Sequence, residues 1–265
     1  MNTSEWKTCQ LDLSSLNFEG PKLRELWVDL HNGNHEPWPE EENLQEAWRH
    51  YHYGRFAEAV NMGLSLGKDG LVVACFAAVM QAQYLEQDVA RRTELFKQVM
   101  NWCLDAVSDG NASTNIHYIY AVALGRYSQL ISVMEALAQG YASVIKTQIE
   151  AALELDPEHA EALTTLAGWH ASISEQAGEL MAKMLYDASQ DSAEMLYEQA
   201  ISASPHSVIP YIEKAWGLET MFGEASTAAI LQSLDHSLRL SPQDAVHYLD
   251  QQRARAQKAR LSTKK

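Results

Sequence analysis

The chain has 265 residues, of which 46% are hydrophobic, so it can bury a large core and is not a disordered protein. Its formal net charge of −15 makes binding to nucleic acid or to an anionic membrane unfavourable, so neither partner is expected. No apolar run is long enough to span a bilayer, and the first residues do not resemble a secretory leader, although a leader removed beforehand stays open. Together with three widely spaced cysteines, Cys9, Cys75 and Cys103, these features predict a cytoplasmic protein with free thiols.

The N-terminal part of the chain divides at a proline pair. Residues 1–39 show little periodicity and end in Pro37-Trp38-Pro39, which predicts an irregular lead-in. Residues 40–113 alternate apolar and polar faces at helical spacing, which predicts an N-terminal helical region. Within it, the glycine, aromatic and alanine spacing of Gly54–Ala59 resembles that of the tetratricopeptide repeat, which implies one divergent repeat.

Three prolines, Pro157, Pro205 and Pro242, set a common register in residues 114–250. Upstream of each proline stand three apolar or small residues whose offsets of four and three place them on one helical face. Proline is tolerated in the first turn of a helix and disruptive further in, so each proline predicts a junction between two antiparallel helices. The three trios are Ile145, Ile149 and Ala152; Ala193, Tyr197 and Ala200; and Ile230, Leu234 and Ser237.

The order of small residue, large apolar residue, alanine and proline resembles the second helix of the tetratricopeptide repeat. A narrower resemblance covers about residues 118–250. Here the chain is similar to uncharacterised bacterial tetratricopeptide-like proteins, to the regulators of microtubule dynamics and to the periplasmic tetratricopeptide partners of tripartite transporters. The resemblance implies an all-α fold, an irregular α-solenoid of antiparallel helix pairs with about 10–12 helices. The runs that carry it are Tyr120–Gln129, Leu153–Ala162 and Leu166–His170.

The spacing of the prolines departs from the ideal repeat of about 34 residues. Pro157 and Pro205 are 48 residues apart, and the extra residues fall near Gln176–Asp191. Helical spacing persists there at Leu180, Met181, Met184 and Leu185, which predicts an inserted or lengthened helix. Across the chain, helices are predicted near 40–53, 56–66, 71–87, 91–107, 114–138, 141–155, 158–175, 177–188, 191–203, 207–222, 226–240 and 243–260.

The end of the chain, residues 251–265, is basic in an otherwise acidic protein. It carries six cations and no acid, which predicts a basic helix end or tail that caps the stack of helices. The cations are Arg253, Arg255, Lys258, Arg260, Lys264 and Lys265.

Motifs for catalysis and nucleotide binding are absent from the sequence, which has no G-x-S-x-G, H-E-x-x-H, P-loop or G-x-G-x-x-G pattern. His50 and His52 are two residues apart and would point to different sides of a helix. Glycine and asparagine interrupt the stretch between His31 and His35, so this pair is not expected to share a helical face either. We therefore expect no metal, no cofactor and no enzyme activity, although an unrecognised enzyme stays open.

The predicted binding surface is a concave groove, because in the tetratricopeptide family the first helix of each pair lines the inside of the curve. Aromatic side chains at such positions would anchor a partner at low entropic cost, but they could equally pack between helices. Arg126 is expected either to form a structural ion pair or to hold an acidic group of a ligand. The groove residues predicted in this way are Trp48, Tyr51, His52, Arg126, Tyr127, Gln129, Trp216 and Glu219.

Taken together, these features favour a non-catalytic binding or scaffold protein that holds a protein or peptide partner. The resemblance to transporter partners implies an alternative, a small-molecule-binding accessory protein of a transport system. Homo-oligomerisation is left open by the sequence.

Overall fold

The computed structural model describes residues 3–110 and 112–263, and within these residues it is all-α with no strand. The expected all-α fold class is therefore confirmed. Lys264 and Lys265, which belong to the predicted basic tail, lie outside the described residues. The helices are α1 (Lys22–Leu30), α2 (Glu42–His52), α3 (Phe56–Ser65), α4 (Leu71–Met80), α5 (Val89–Ser108), α6 (Thr114–Ser128), α7 (Val133–Ala138), α8 (Tyr141–Leu155), α9 (Ala160–Ala177), α10 (Glu179–Tyr186), α11 (Gln190–Ala203), α12 (Ile209–Phe222), α13 (Thr227–Arg239) and α14 (Ala245–Ser262), with a π-helical turn (Gln81–Leu85) after α4 and a 3₁₀ turn (Gly223–Ser226) after α12.

The chain folds into two compact units. Among the described residues, the N-terminal unit comprises 3–31, 36–155 and 243–246. The C-terminal unit comprises 32–35, 156–242 and 247–263. The border after residue 155 falls inside the region 114–250 that the sequence assigns to one set of repeats.

The N-terminal unit is built mainly from helices that pack against their neighbours along the chain. Contacts run from α2 to α3, on to α4, α5 and α6, and then to α8. Helix α4 is the most apolar of these, and residues 73–79 are all buried. Its start lies so close to α3 that a methyl group on Gly63 would be 2.6 Å from the carbonyl oxygen of Gly70. Glycine is required there because two backbones approach without room for a side chain.

The C-terminal unit is organised around α9 and α12, which are separated by two helices in the chain. Helix α9 packs against α11 and α12, and α12 packs against α13. Ile212 and Ala215 of α12 form a core with Ile230 and Leu234 of α13, and all four are fully buried. Contacts between neighbouring elements of this kind are typical of helical repeats.

The proline register predicted from the sequence is confirmed. Pro157 lies between α8 and α9, Pro205 between α11 and α12, and Pro242 between α13 and α14. All three upstream trios are buried. The inserted helix is also present, as α10.

Two sequence predictions about helices are wrong. The lead-in is not irregular throughout, because α1 forms within it. Leu23, Trp27 and Leu30 recur at helical spacing and are buried, a short apolar stripe that the sequence reading missed. A single helix over 114–138 does not form either. Helix α6 ends at Ser128, and Ser132 starts α7 as an N-cap whose hydroxyl accepts a hydrogen bond from the Glu135 amide at 3.2 Å.

Among the described residues, no helix combines the length and the apolar character needed to cross a lipid bilayer.

Candidate functional site

Three of the predicted groove residues are core residues of the N-terminal unit. Trp48 and His52 are each 1% exposed and Tyr51 is 6% exposed. The rings of Trp48 and Tyr51 meet edge to face, with centroids 5.3 Å apart. The prediction that these side chains line an open groove is therefore wrong. The apolar face of α2 packs into the unit, which is the alternative that the sequence left open.

A histidine–aspartate pair lies in the same aromatic core. Nδ1 of His52 is 2.9 Å from Oδ2 of Asp244, and both side chains are buried. Rings of Trp27 and His31 surround the imidazole of His52, with centroids 6.2 and 5.2 Å away. A carboxylate that orients an imidazole is also found in catalytic sites, but the burial of this pair leaves no room for a substrate. The pair therefore connects α2 to the residues that precede α14 and has a structural role.

The predicted residues on α6 are divided between core and surface. Tyr127 is buried, with the Lys97 ammonium 5.5 Å from its ring centroid and the Tyr141 ring 5.9 Å away. Burial, followed by the neighbouring phenol of Tyr127, raises the pKa of Tyr141. Arg126 is half-buried and Gln129 is exposed at the end of the helix. Tyr127 therefore serves packing, and only Gln129 is fully accessible at this position.

Two strongly perturbed titratable groups have structural explanations. Burial raises the pKa of Glu36 to about 7, although a hydrogen bond from Asn115 Nδ2, 2.6 Å away, partly offsets the effect. Burial lowers the pKa of His159 to about 4, against the attraction of Asp156. His159 Nδ1 accepts the Ala162 amide at 3.0 Å and caps α9. Burial accounts for both shifts, so neither shift by itself indicates a reactive site.

Trp216 and Glu219 are brought together on one face of the C-terminal unit. Arg260 of α14 donates to both carboxylate oxygens of Glu219, at 2.8 and 2.6 Å, and its guanidinium carbon is 5.7 Å from the Trp216 ring centroid. Gln257 donates to the same carboxylate at 2.9 Å. Because Arg260 and Glu219 engage each other, the 37%-exposed Trp216 ring is what this face offers to a partner.

The most exposed apolar surface of the C-terminal unit belongs to α10. Leu180, Met181, Met184 and Leu185 are 73%, 45%, 70% and 63% exposed. The one buried residue of this helix is Ala182. Positions 180, 181, 184 and 185 span an arc of about 140° around the helix, and Ala182 lies outside that arc, about 130° from its centre. The helix therefore turns its apolar face outward, the reverse of the usual arrangement.

Both ends of α10 are held in place. Gly178, with φ 74°, starts the helix, and Asp187 ends it in the left-handed conformation with φ 54°. The Ala188 amide donates to the Ala182 carbonyl at 3.1 Å, and the Gln190 amide donates to Glu179 Oε1 at 3.1 Å. Tyr186 also meets Trp169 of α9 edge to face at 6.3 Å. The outward apolar face is thus a fixed feature of the fold.

Sequence reasoning did not name this face as a site. The sequence does contain a sign of it, because four apolar residues at helical spacing occur in the extra residues near Gln176–Asp191. What the sequence could not show is that these side chains remain outside the core.

The N-terminal unit contains a small cavity of about 310 Å³. Residues of the lead-in and of α1 line it, together with Gln243. The lining is largely apolar and includes Leu16, Phe18, Leu26 and Leu30.

Comparison with known families identifies the chain. The family model described as regulator of microtubule dynamics protein 1-3 (RMD1-3) matches residues 68–230. Because this match covers more than half of the chain, the chain belongs to that family. The matched region includes α10 and Trp216. No curated protein matches the chain.

Proposed function

We propose that this member of the RMD1-3 family is a non-catalytic binding protein that holds a protein partner on the apolar face of α10. This face consists of Leu180, Met181, Met184 and Leu185. The observation that carries the proposal is their exposure of 45–73% on a helix that is anchored at both ends.

The physical argument concerns the hydrophobic effect. Exposed apolar side chains that adjoin one another commonly mark interaction sites, whereas scattered ones need no explanation. Burying a Leu or Met side chain contributes about 1.5–3 kcal/mol, so these four offer several kcal/mol to a partner that covers them. Their exposure does not strain the fold, because α10 contacts α9 through its opposite side.

The family and the remaining groove residues support the same role. The name of the family refers to microtubule dynamics, which favours a partner that is itself a protein. Of the predicted groove, Trp216 offers a second accessible surface on the C-terminal unit, beside the ion pair of Glu219 and Arg260. We also propose that the protein is cytoplasmic and that it holds its partner on a concave helical surface.

Affinity capture with a matched pair of variants tests this function. The double variant Leu180→Ser/Met184→Ser removes two apolar groups from the surface, and Val28→Ser on α1 removes an equally exposed one elsewhere. Partners captured from the source cells should be lost with the double variant and retained with the Val28 control, at unchanged helicity. Equal capture by both variants would contradict the proposal.

A second candidate is a small-molecule accessory role in transport. The cavity of about 310 Å³ in the N-terminal unit favours it, because its size and apolar lining suit a small apolar ligand. In that case, Leu26→Trp should fill the cavity and abolish ligand-induced thermal stabilisation. An unaltered melting temperature of the parent chain across a panel of small apolar compounds would argue against this role.

A further inference from the structure

We infer that the partner segment held by α10 is a basic amphipathic helix; this inference rests on the function proposed above. It specifies the shape and the charge of the segment, which the proposed function leaves open.

The shape follows from the geometry of the apolar face. Leu180 lies one turn before Met184, and Met181 one turn before Leu185, so the face consists of two adjacent rows along about 7.5 Å of helix. Rows of this kind pack into the grooves of a second helix at an interaxial distance of about 8–10 Å. Two of the four side chains are methionines, which adapt to the irregular surface of a partner helix.

The charge follows from the composition of the chain segment that carries the apolar face. Residues 175–194 contain five carboxylates and one ammonium group. Lys183 is paired with Asp187, so it does not offset the remaining acids. Glu175, Glu179, Asp191 and Glu194 are exposed and occupy the end of α9, the start of α10 and the first half of α11. An apolar stripe on such an acidic segment complements a helix whose own apolar stripe is flanked by lysine or arginine.

A second copy of this chain does not provide that complement. The apolar face of another α10 carries the same carboxylates, so like charges would oppose each other. The basic helix α14 is also unsuitable, because carboxylates already engage three of its four cations. Arg253 contacts Glu213 at 3.0 Å, Lys258 pairs with Asp235, and Arg260 is held by both oxygens of Glu219.

Three designed peptides of about 18 residues test the inference, since shorter helices are marginal in water. Each carries the same leucine stripe, with lysine, glutamine or glutamate at the remaining positions. Titrated with the full chain by fluorescence anisotropy, the lysine peptide should bind at least about tenfold more tightly than the glutamine peptide, and the glutamate peptide should bind more weakly still. Raising the salt concentration should reduce this preference.

Two variants locate the binding. Leu180→Ser/Met184→Ser should abolish binding of all three peptides, whereas Val28→Ser should leave it unchanged. Glu175→Gln/Asp191→Gln/Glu194→Gln should keep binding of the glutamine peptide and remove most of the preference for lysine. Lysine-peptide binding that survives the Leu180/Met184 variant would mean general attraction to an acidic chain and would overturn the inference.

The remaining outcomes separate this inference from the proposed function. Equal binding of the three peptides, or no binding of any, would overturn the inference that the partner segment is a basic helix. The capture experiment would still decide whether the proposed function holds. Flotation with phosphatidylcholine vesicles that depends on Leu180 and Met184 would assign the face to a membrane and overturn the inference. If the double variant keeps every captured partner, the proposed function fails and the inference fails with it.

Discussion

Replacing Gly217 by alanine tests how closely the helices of the C-terminal unit pack. Gly217 lies in the middle of α12, and a methyl group there would be 2.4 Å from the Tyr197 hydroxyl oxygen and 2.6 Å from Cε2 of the same ring. Tyr197 of α11 is 1% exposed, so its ring has no free space into which to move. The substitution must therefore displace either the ring or the helix.

The expected magnitude follows from two opposing effects. Alanine favours the helical state over glycine by about 1 kcal/mol. Overpacking of a well-filled core costs about 1–3 kcal/mol, and contacts with several atoms of a rigid buried ring belong at the upper end of that range. We expect Gly217→Ala to lower the free energy of unfolding by about 1–2 kcal/mol.

Gly168 of α9 is the matched control for this experiment. It faces the same hydroxyl oxygen, but its added methyl group would be 3.6 Å away, an ordinary contact. Gly168→Ala should therefore raise the free energy of unfolding by up to about 1 kcal/mol. In a Gly217→Ala/Tyr197→Leu double variant, the smaller side chain should relieve the overpacking, so the two changes should not add.

Urea denaturation followed by circular dichroism measures the parent chain, the three single variants Gly217→Ala, Gly168→Ala and Tyr197→Leu, and the double variant. If Gly217→Ala is as stable as Gly168→Ala, the close approach of α11 and α12 is wrong. Additive effects in the double variant would also refute the assignment of the penalty to the Tyr197 ring.

Further predictions concern pH, thiols and the exposed tryptophan. The pKa of Glu36 rises from 4.5 to about 7 on folding, so the free energy of unfolding should fall as the pH rises through this range. The fall should reach at most about 3 kcal/mol, because the side chain keeps some solvent contact. Glu36→Gln should remove this pH dependence from the melting curves. The pKa of His159 falls from 6.5 to about 4, so its contribution is lost as the pH drops between these values, and His159→Asn, which keeps a capping group, should flatten the acid limb. Cys75 and Cys103, with sulfurs 3.8 Å apart in the core, should both be free in non-reducing mass analysis and resist alkylation of the folded chain; an intramolecular disulfide would contradict this. Trp216→Ala should preserve the melting temperature and weaken capture of any partner on that face by roughly 2 kcal/mol or more, and a large loss of stability would show that Trp216 belongs to the core.

Helix positions were largely predictable because they depend on local patterns. The trio before Pro242 is an example: Ile230, Leu234 and Ser237 share one face by spacing alone, and that face is buried. The extra residues near Gln176–Asp191 likewise predicted a helix that exists as α10. In both cases, the period of apolar residues determines the element, and the sequence contains that period in full.

The candidate site was less predictable. The stripe of Trp48, Tyr51 and His52 on α2 and the stripe of Leu180 and Met184 on α10 look alike as patterns, yet the first is buried and the second is exposed. A pattern of this kind shows that a helix has an apolar face, but it does not show which other helix covers that face.

By itself, the sequence determined that this protein is helical, where many of its helices begin and end, and that a helix occupies the extra residues between Pro157 and Pro205. Only the tertiary structure decided which apolar helix faces are buried in the core and which stay exposed to a partner. The physical reason is that burial depends on contacts between residues far apart in the chain. The contact between Asp244 and His52 is one example. On α10, Ala182 is buried while four larger side chains face solvent, and this difference is what matters for function.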